Sequence, residues 1–221
     1  MSTDGGRSWS AHPNGGTSNA GGSVAYSADG SSIIWSTSAN GVLYSQSLAA
    51  FQQVSSLPSG AVIAADRRNG TVFYAASGSS FYTSSDSGVT FQKGAGTTGV
   101  TAIRDIAAHP TSAGEVWVGT DAGVFRSTNY GTVFTKVGND LSNAFQLAFG
   151  LGSGPGNQTW VAYAFGNGAA GPKLYANKGA SWADIQGDQG FGEMSSCKLA
   201  GSGNVKGQVY VGTNGRGVFR N

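Results

Sequence analysis

The sequence is poor in cysteine, in charge and in the residues that build long helices. Its one cysteine, Cys197, cannot form an internal disulfide and has no cysteine partner for a zinc site. Its expected role is that of a small buried apolar side chain. Asp, Glu, Lys and Arg make up 11% of the chain, against roughly 25% in an average soluble domain. The 13 basic and 11 acidic residues leave a net charge of +2. Arg67-Arg68 is the longest basic run, so the clustered face that nucleic acid requires is missing. No apolar run approaches the length of a membrane-spanning helix, and no membrane partner is expected. Residues 1–6 lack the basic and apolar regions of a signal peptide. If the natural protein is secreted, its signal lies outside this chain.

Glycine, by contrast, is abundant: 37 of 221 residues, more than twice the usual frequency of roughly 7%. Hydrophobic residues reach 39% and aromatics 11%, enough for a packed core and against wholesale disorder. Ser, Thr, Gly and Val occupy the positions that Ala, Leu, Glu and Lys would fill in a helical protein. Many short strands joined by glycine-rich turns fit this composition.

An internal repeat organises the chain. Ser2–Trp9 (STDGGRSW), Ser84–Phe91 (SSDSGVTF) and Ser127–Phe134 (STNYGTVF) are alike, with weaker copies at Tyr175–Trp182 (YANKGASW) and Tyr44–Phe51 (YSQSLAAF). Their terminal aromatics are spaced by 42, 40, 43 and 48 residues, and the step from Trp182 round the chain ends to Trp9 is again 48. One unit reads as four strands: Ile103–His109, Glu115–Thr120, Gly123–Ser127 and Val133–Val137. In the last unit, Met194–Leu199, Gln208–Thr213 and Gly217–Arg220 are the first three strands, and the missing fourth is found at the N-terminus. The expectation is an all-β fold: a single β-propeller over 1–221 with five four-stranded antiparallel blades, closed by pairing of N- and C-terminal strands. The units are about 10–51, 52–91, 92–134, 135–182, and 183–221 plus 1–9.

The repeated text matches the Asp-box (BNR) pattern, Ser/Thr-x-Asp-x-Gly-x-x-Trp/Phe. The carboxylate accepts turn N–H groups, the glycine permits positive φ, and the aromatic packs between sheets. Asp4, Gly6, Trp9, Asp86, Gly88, Phe91, Asn129, Gly131, Phe134, Asn177, Gly179 and Trp182 are therefore expected to be structural. Trp35, Trp117 and Trp160 fall in second strands; core packing is the simpler role, sugar stacking the sharper one. His12 and His109 each precede Pro, and their separation suggests no metal pair. No metal or other cofactor is expected.

In a propeller, the turns after second strands share a face with the links between blades. That face is the candidate ligand face, with Asp188, Gln189, Phe191, Asn214 and Arg216 as binding candidates and Phe191 as the exposed stacking ring. A glycosidase needs two carboxylates across a cleft. Asp66 and Asp105 lie near the channel and Asp188 and Glu193 on the loops, but the spacing singles out no pair, and no catalytic residue is assigned. A nucleophile elbow and a phosphate loop are both absent. Asn69-Gly70-Thr71 and Asn157-Gln158-Thr159 are glycosylation sequons near turns.

The segments LPSGAVIAADRRNGTVFYAASG (57–78), FYTSSDSGVTF (81–91), VWVGTDAGVFRSTNYGTVF (116–134) and GQVYVGTNGRGVFRN (207–221) resemble the C-terminal part of fungal family 74 glycoside hydrolases. That resemblance implies secreted, inverting xyloglucanases and related β-1,4-glucanases, built from two seven-bladed propellers that each supply one catalytic Asp. No position here matches either Asp. Five units in place of seven imply a truncated or re-engineered piece that closes as its own ring. Three readings follow. The first is an extracellular glycan-contacting propeller without a complete catalytic pair, with a β-glucan or xyloglucan oligosaccharide as partner. The second is an active endo-β-1,4-glucanase or xyloglucanase. The third is a structural or engineered fragment with no ligand. The expected assembly is a monomer or a strand-swapped oligomer.

Overall fold

A computed structural model describes residues 2, 4, 6–11, 22–37, 40–94, 99–152, 160–169, 171–188, 190–191 and 197–220. His12, Gln189, Glu193 and the sequon at Asn157 lie outside the described residues. The described residues contain strands and turns and no helix.

Among the described residues, nineteen strands form five antiparallel sheets. The first holds β1 (Ser23–Tyr26), β2 (Ser32–Ser36), β3 (Val42–Gln46) and β4 (Gln52–Val54). The second holds β5 (Val62–Ala65), β6 (Phe73–Ser77), β7 (Ser80–Ser84) and β8 (Gln92–Lys93). The third holds β9 (Ile103–Ala108), β10 (Val116–Thr120), β11 (Gly123–Ser127) and β12 (Thr135–Lys136). The fourth holds β13 (Asn143–Leu151), β14 (Trp160–Gly168), β15 (Gly171–Asn177) and β16 (Trp182–Asp184), and the fifth β17 (Lys198–Gly201), β18 (Val209–Gly212) and β19 (Val218–Arg220). Within each sheet, consecutive strands are neighbours.

Burial grades across each sheet. All five residues of β10 are buried, while β8 and β12 are exposed throughout. A middle strand covered on both faces favours the continuous apolar text VWV, and an outer strand does not. Successive first strands lie against one another, β1 on β5, β5 on β9, β9 on β13 and β13 on β17. The sheets therefore fan out from an inner wall of first strands. Small residues permit that approach: a Cβ on Gly201 would overlap the backbone at Phe149 and Gly150.

Among the described residues the apolar core lies between sheets, in four clusters. Phe73, Ile34 and Phe91 join the first and second sheets, and Phe81, Val116 and Val118 the second and third. Trp117, Leu147 and Trp182 join the third and fourth, and Phe165, Val209 and Cys197 the fourth and fifth.

Three copies of the repeated turn share one hydrogen-bond pattern, two of them after third strands and one at the N-terminus. Gly88 N–H donates to Ser84 Oγ at 2.9 Å, and Thr90 N–H to Asp86 Oδ1 at 3.0 Å. Gly131 N–H donates to Ser127 Oγ at 3.0 Å, and Val133 N–H to Asn129 Oδ1 at 3.0 Å. Gly6 N–H donates to Ser2 Oγ at 2.7 Å, and Ser8 N–H to Asp4 Oδ1 at 3.0 Å. The hydrogen bond from Ser8 Oγ, aided by its N–H, holds the Asp4 carboxyl well below the usual range. At 177–181 the pattern changes: the Asn177 side chain spans the turn, accepting from Gly179 N–H and donating to Gly179 O.

Two of these turns dock on the preceding sheet. Gly88 lies against Ile34, and Gly131 lies against the Phe81 ring. Thr83 Oγ1 donates to Tyr130 O at 2.9 Å across the same boundary. The N-terminal turn does not dock this way. Only its own Trp9 lies near the position of a Gly6 Cβ, Trp9 is 76% exposed, and the indole N–H folds back to Gly6 O. The fifth sheet accordingly has three strands, and the expected pairing of the chain's two ends is absent among the described strands. β17 makes no contact with β1 comparable to those between the other first strands. Val24 and Tyr26 of β1 and Val218 of β19 remain exposed on the two flanks of the array.

Gly131→Ala is expected to cost about 2–4 kcal/mol, because φ is +81° and the methyl group overlaps Phe81. Gly179→Ala, with φ +85° and open space around it, is expected to cost only about 1–2 kcal/mol. Urea unfolding of the two variants measures the difference.

Candidate functional site

The turn from Thr213 to Gly217 carries two of the candidate residues. Thr213 organises it: its N–H and its Oγ1 both donate to Gly217 O, and Oγ1 accepts from Arg216 N–H at 3.2 Å. Asn214 and Arg216 project from this turn into solvent. Arg216 Nη1 reaches Gly190 O at 3.4 Å, which brings the turn beside the segment that holds Asp188. Asp188 is exposed, and its charge contributes to raising the Lys173 pKa, after the dominant hydrogen bond from Lys173 to Asp184. That bond is a 2.6 Å ion pair. Asp188, Lys173, Asp184 and Arg216 thus form a polar surface at the end of the fourth and fifth sheets.

Phe191 does not belong to that surface. It is 6% exposed and packs on Phe219 at 5.3 Å between centroids, inside the core that joins the fourth and fifth sheets. The expected exposed ring is corrected to a core residue. Burial wins because β19 supplies Phe219 as a neighbour and each buried aromatic contributes about 1.5–3 kcal/mol.

The chain matches no protein-family model. It is 56% identical over 221 residues to a xyloglucanase of Hypocrea jecorina, covering 99% of this chain and 26% of that protein. It is 34% identical over 232 residues to a xyloglucanase of Paenibacillus sp., covering 99% of this chain and 22% of the relative. Its fold superimposes on the crystal structure of the family 74 xyloglucanase from Xanthomonas campestris with a TM-score of 0.82 and 25% identity, over 98% of this chain and 32% of that one. The family 74 enzyme of Niastella koreensis matches with a TM-score of 0.76 and 27% identity, over 90% of this chain and 30% of that one. The chain is a glycoside hydrolase family 74 propeller sequence. It spans about a quarter of the length of the curated relatives it matches.

Within this family 74 chain, the two carboxylates on or beside first strands are tied into the structure. Asp66 is 1% exposed and accepts four hydrogen bonds. Arg68 N–H and Asn69 N–H reach Oδ1, each at 2.8 Å; the Tyr74 hydroxyl reaches Oδ2 at 2.7 Å and Gly114 N–H at 2.8 Å. Gly114 belongs to the next sheet's turn, so Asp66 joins two sheets. Burial and this hydrogen bond push the Tyr74 hydroxyl far above its usual pKa. Asp105, on β9, accepts Leu147 N–H at 2.8 Å and joins the third and fourth sheets. Burial raises its pKa to about 6, against the lowering effects of Leu147 and Ile106 N–H groups and Lys198.

Other carboxylates are similarly committed: Glu115 to Arg126 and Trp117, Asp121 to Thr101, Asp140 to Trp182 N–H. No cluster of three His, Cys, Asp or Glu residues able to hold a metal occurs among the described residues. At the opposite end of the sheets from Arg216, His109 and Trp160 line an inter-sheet groove that the loop-face reading passes over.

Two expected outcomes follow from these carboxylates. Asp66→Ala leaves the Tyr74 hydroxyl and Gly114 N–H buried without their acceptor, and is expected to cost about 3 kcal/mol or more in urea unfolding. For Asp105, the folded pKa of about 6 exceeds the unfolded value of about 3.9. The folded state therefore holds a proton that the unfolded state has lost between these values, and stability falls as pH rises through that window. Asp105→Asn keeps an acceptor for Leu147 and removes the buried charge. It is expected to stabilise by about 1–3 kcal/mol at pH 7.5, with the gain vanishing by pH 4. Unfolding of parent and variant across that range is the check.

Proposed function

We propose that this chain is a glycan-contacting portion of the C-terminal propeller of a secreted, xyloglucan-degrading family 74 hydrolase, and that it carries no complete catalytic pair of its own. The 56% identity to a xyloglucanase along the whole chain carries this reading. The commitment of Asp66, Asp105, Glu115, Asp121 and Asp140 to hydrogen bonds within the fold supports its second half. In this reading the Asp-box residues are turn staples. The polar surface around Asp188, Asn214 and Arg216 offers charged and amide groups to sugar hydroxyls, with a xyloglucan or β-1,4-glucan oligosaccharide as partner. Gln189 belongs to the same segment as Asp188. In the parent, seven blades would supply the neighbours that the exposed flanks lack here.

The alternative, an active β-1,4-glucanase, has one observation in its favour: a carboxyl whose proton affinity is raised, as a general acid requires. That carboxyl, Asp105, is held by Leu147 N–H within the channel wall.

Calorimetric titration with xyloglucan oligosaccharides, run beside a reducing-end assay on xyloglucan, tests the proposal. The expected result is saturable binding, no release of reducing ends, and a several-fold loss of affinity in Arg216→Ala. Turnover abolished by Asp105→Ala or Asp188→Ala would establish the hydrolase instead. Absence of binding and turnover together would leave a purely structural propeller.

A further inference from the structure

Asn69-Gly70-Thr71 lies in the turn between β5 and β6, away from the repeated turns and from the polar surface around Arg216. Asp66 sets the course of this turn: its Oδ1 accepts from Arg68 N–H and Asn69 N–H, each at 2.8 Å. Asn69 then closes a tighter turn of its own. Its Oδ1 accepts Thr71 N–H at 3.2 Å and the Thr71 hydroxyl at 2.9 Å. Its backbone oxygen accepts Val72 N–H at 3.2 Å. Short Asn side chains favour turns because they can bond the backbone two residues on. The turn is also held from outside. A Cβ on Gly70 would lie 2.8 Å from Asp29 Cγ of the first sheet, and Thr71 O accepts Ser87 N–H at 2.8 Å.

None of these bonds uses the amide nitrogen of Asn69. Nδ2 donates to no group among the described residues, and it is not shielded from solvent. Asn177 shows the contrary case, since its Nδ2 donates to Gly179 O within the turn. Asn69 is half-buried, and Arg67, Arg68 and Thr71 around it are exposed. The turn therefore fixes the carbonyl side of the amide and leaves the nitrogen to water.

Attachment of a glycan to that nitrogen fits the turn. The acceptor pattern needs a hydroxyl residue two positions after the asparagine and no Pro between them, which Thr71 and Gly70 satisfy. A glycosylated asparagine keeps Oδ1 as an acceptor and exchanges one hydrogen on Nδ2 for the sugar. Every hydrogen bond of the turn therefore survives the modification. An N-linked glycan is bulky and solubilising and belongs on the surface, where this nitrogen lies.

We propose that Asn69 is an N-glycosylation site, occupied when the chain passes through a glycosylating secretory pathway. The donor class is a lipid-linked oligosaccharide diphosphate. Nδ2 attacks C1 of the reducing-end sugar: the N–C1 bond forms and the C1–O bond breaks. The lipid diphosphate leaves with the electron pair, and Nδ2 loses one proton. The setting rests on the secreted reading above; the place of the site does not. Asn69 follows a first strand and Arg216 a second strand, so the two lie at opposite ends of the antiparallel sheets. The glycan therefore stands clear of the polar surface around Arg216 and leaves access to it unchanged.

The test secretes the 221-residue chain from a yeast behind an export leader, with a melting curve to show that the product is folded. Peptides are mapped by mass before and after treatment with a peptide amidase, which releases N-linked glycans and leaves aspartate where a glycosylated asparagine stood. The expected result is that most of the Asn69 peptide carries a glycan and reads aspartate at that position after release. Thr71→Ser keeps the modification, whereas Thr71→Ala and Asn69→Gln lose it. A folded, secreted chain whose Asn69 stays an unmodified amide overturns the proposal, even where Asn157 is modified. Xyloglucan oligosaccharides are then titrated into the glycosylated and released forms. Equal affinities are expected. An affinity that rises several-fold on release overturns the placement of the glycan away from the ligand surface. Absence of binding in both forms counts against the glycan-contacting reading and leaves the result at Asn69 standing.

Discussion

Packing of one sheet on the next is the constraint from which the other features follow. A four-stranded sheet with apolar side chains on both faces cannot be stable alone; each face must meet another sheet. Here Ile34 of the first sheet and Phe91 of the second are buried in the cluster between them, and Phe81 and Phe125 join the cluster between the second and third. The inner strands approach so closely that only Gly fits at points such as Gly150 and Gly201. The low charge content has the same origin, because two-sided burial leaves charged residues mainly the outer strands and turns.

Buried carboxylates reinforce that packing at the boundaries. Asp66 ties the second sheet to Gly114 of the third, and Asp105 ties the third to Leu147 of the fourth. Their energetics differ. Asp66 gathers four donors around its charge, and Asp105 accepts one backbone bond from across the boundary while burial opposes its ionisation. In a glycosidase family an acidic residue beside the inner strands invites a catalytic reading; in this structure both carboxylates accept hydrogen bonds that cross a sheet boundary.

Much of this was legible before the structure. The 40-odd-residue period and the glycines marked the sheets, and the text of β9, β10 and β11 defined strands to within a residue of their observed ends. What failed depended on three-dimensional neighbours. Phe191 sits in polar text, GDQGFGE, and reads as exposed; only Phe219, 28 positions later, makes it a core residue. Trp9 completes the best-formed repeat, yet no sheet covers it. Its local hydrogen bonds form regardless, so the repeat pattern records the turn and says nothing about docking. The groove beside Trp160 escaped because its residues come from two sheets and from strand positions that look like ordinary core.

The unequal burial of the flanks makes the array polar in stability along its length. Interior blades are clasped on both sides, whereas the first and fifth each lose half of their nearest-neighbour energy, with Val24, Tyr26 and Val218 left against water. Opening should therefore start at the flanks and work inward, as a zipper frays, with the third sheet the last to exchange its amide hydrogens. Any body that caps a flank, whether another blade or a second molecule, would stabilise residues far from its own contact, because it suppresses the fraying through which the whole array unravels.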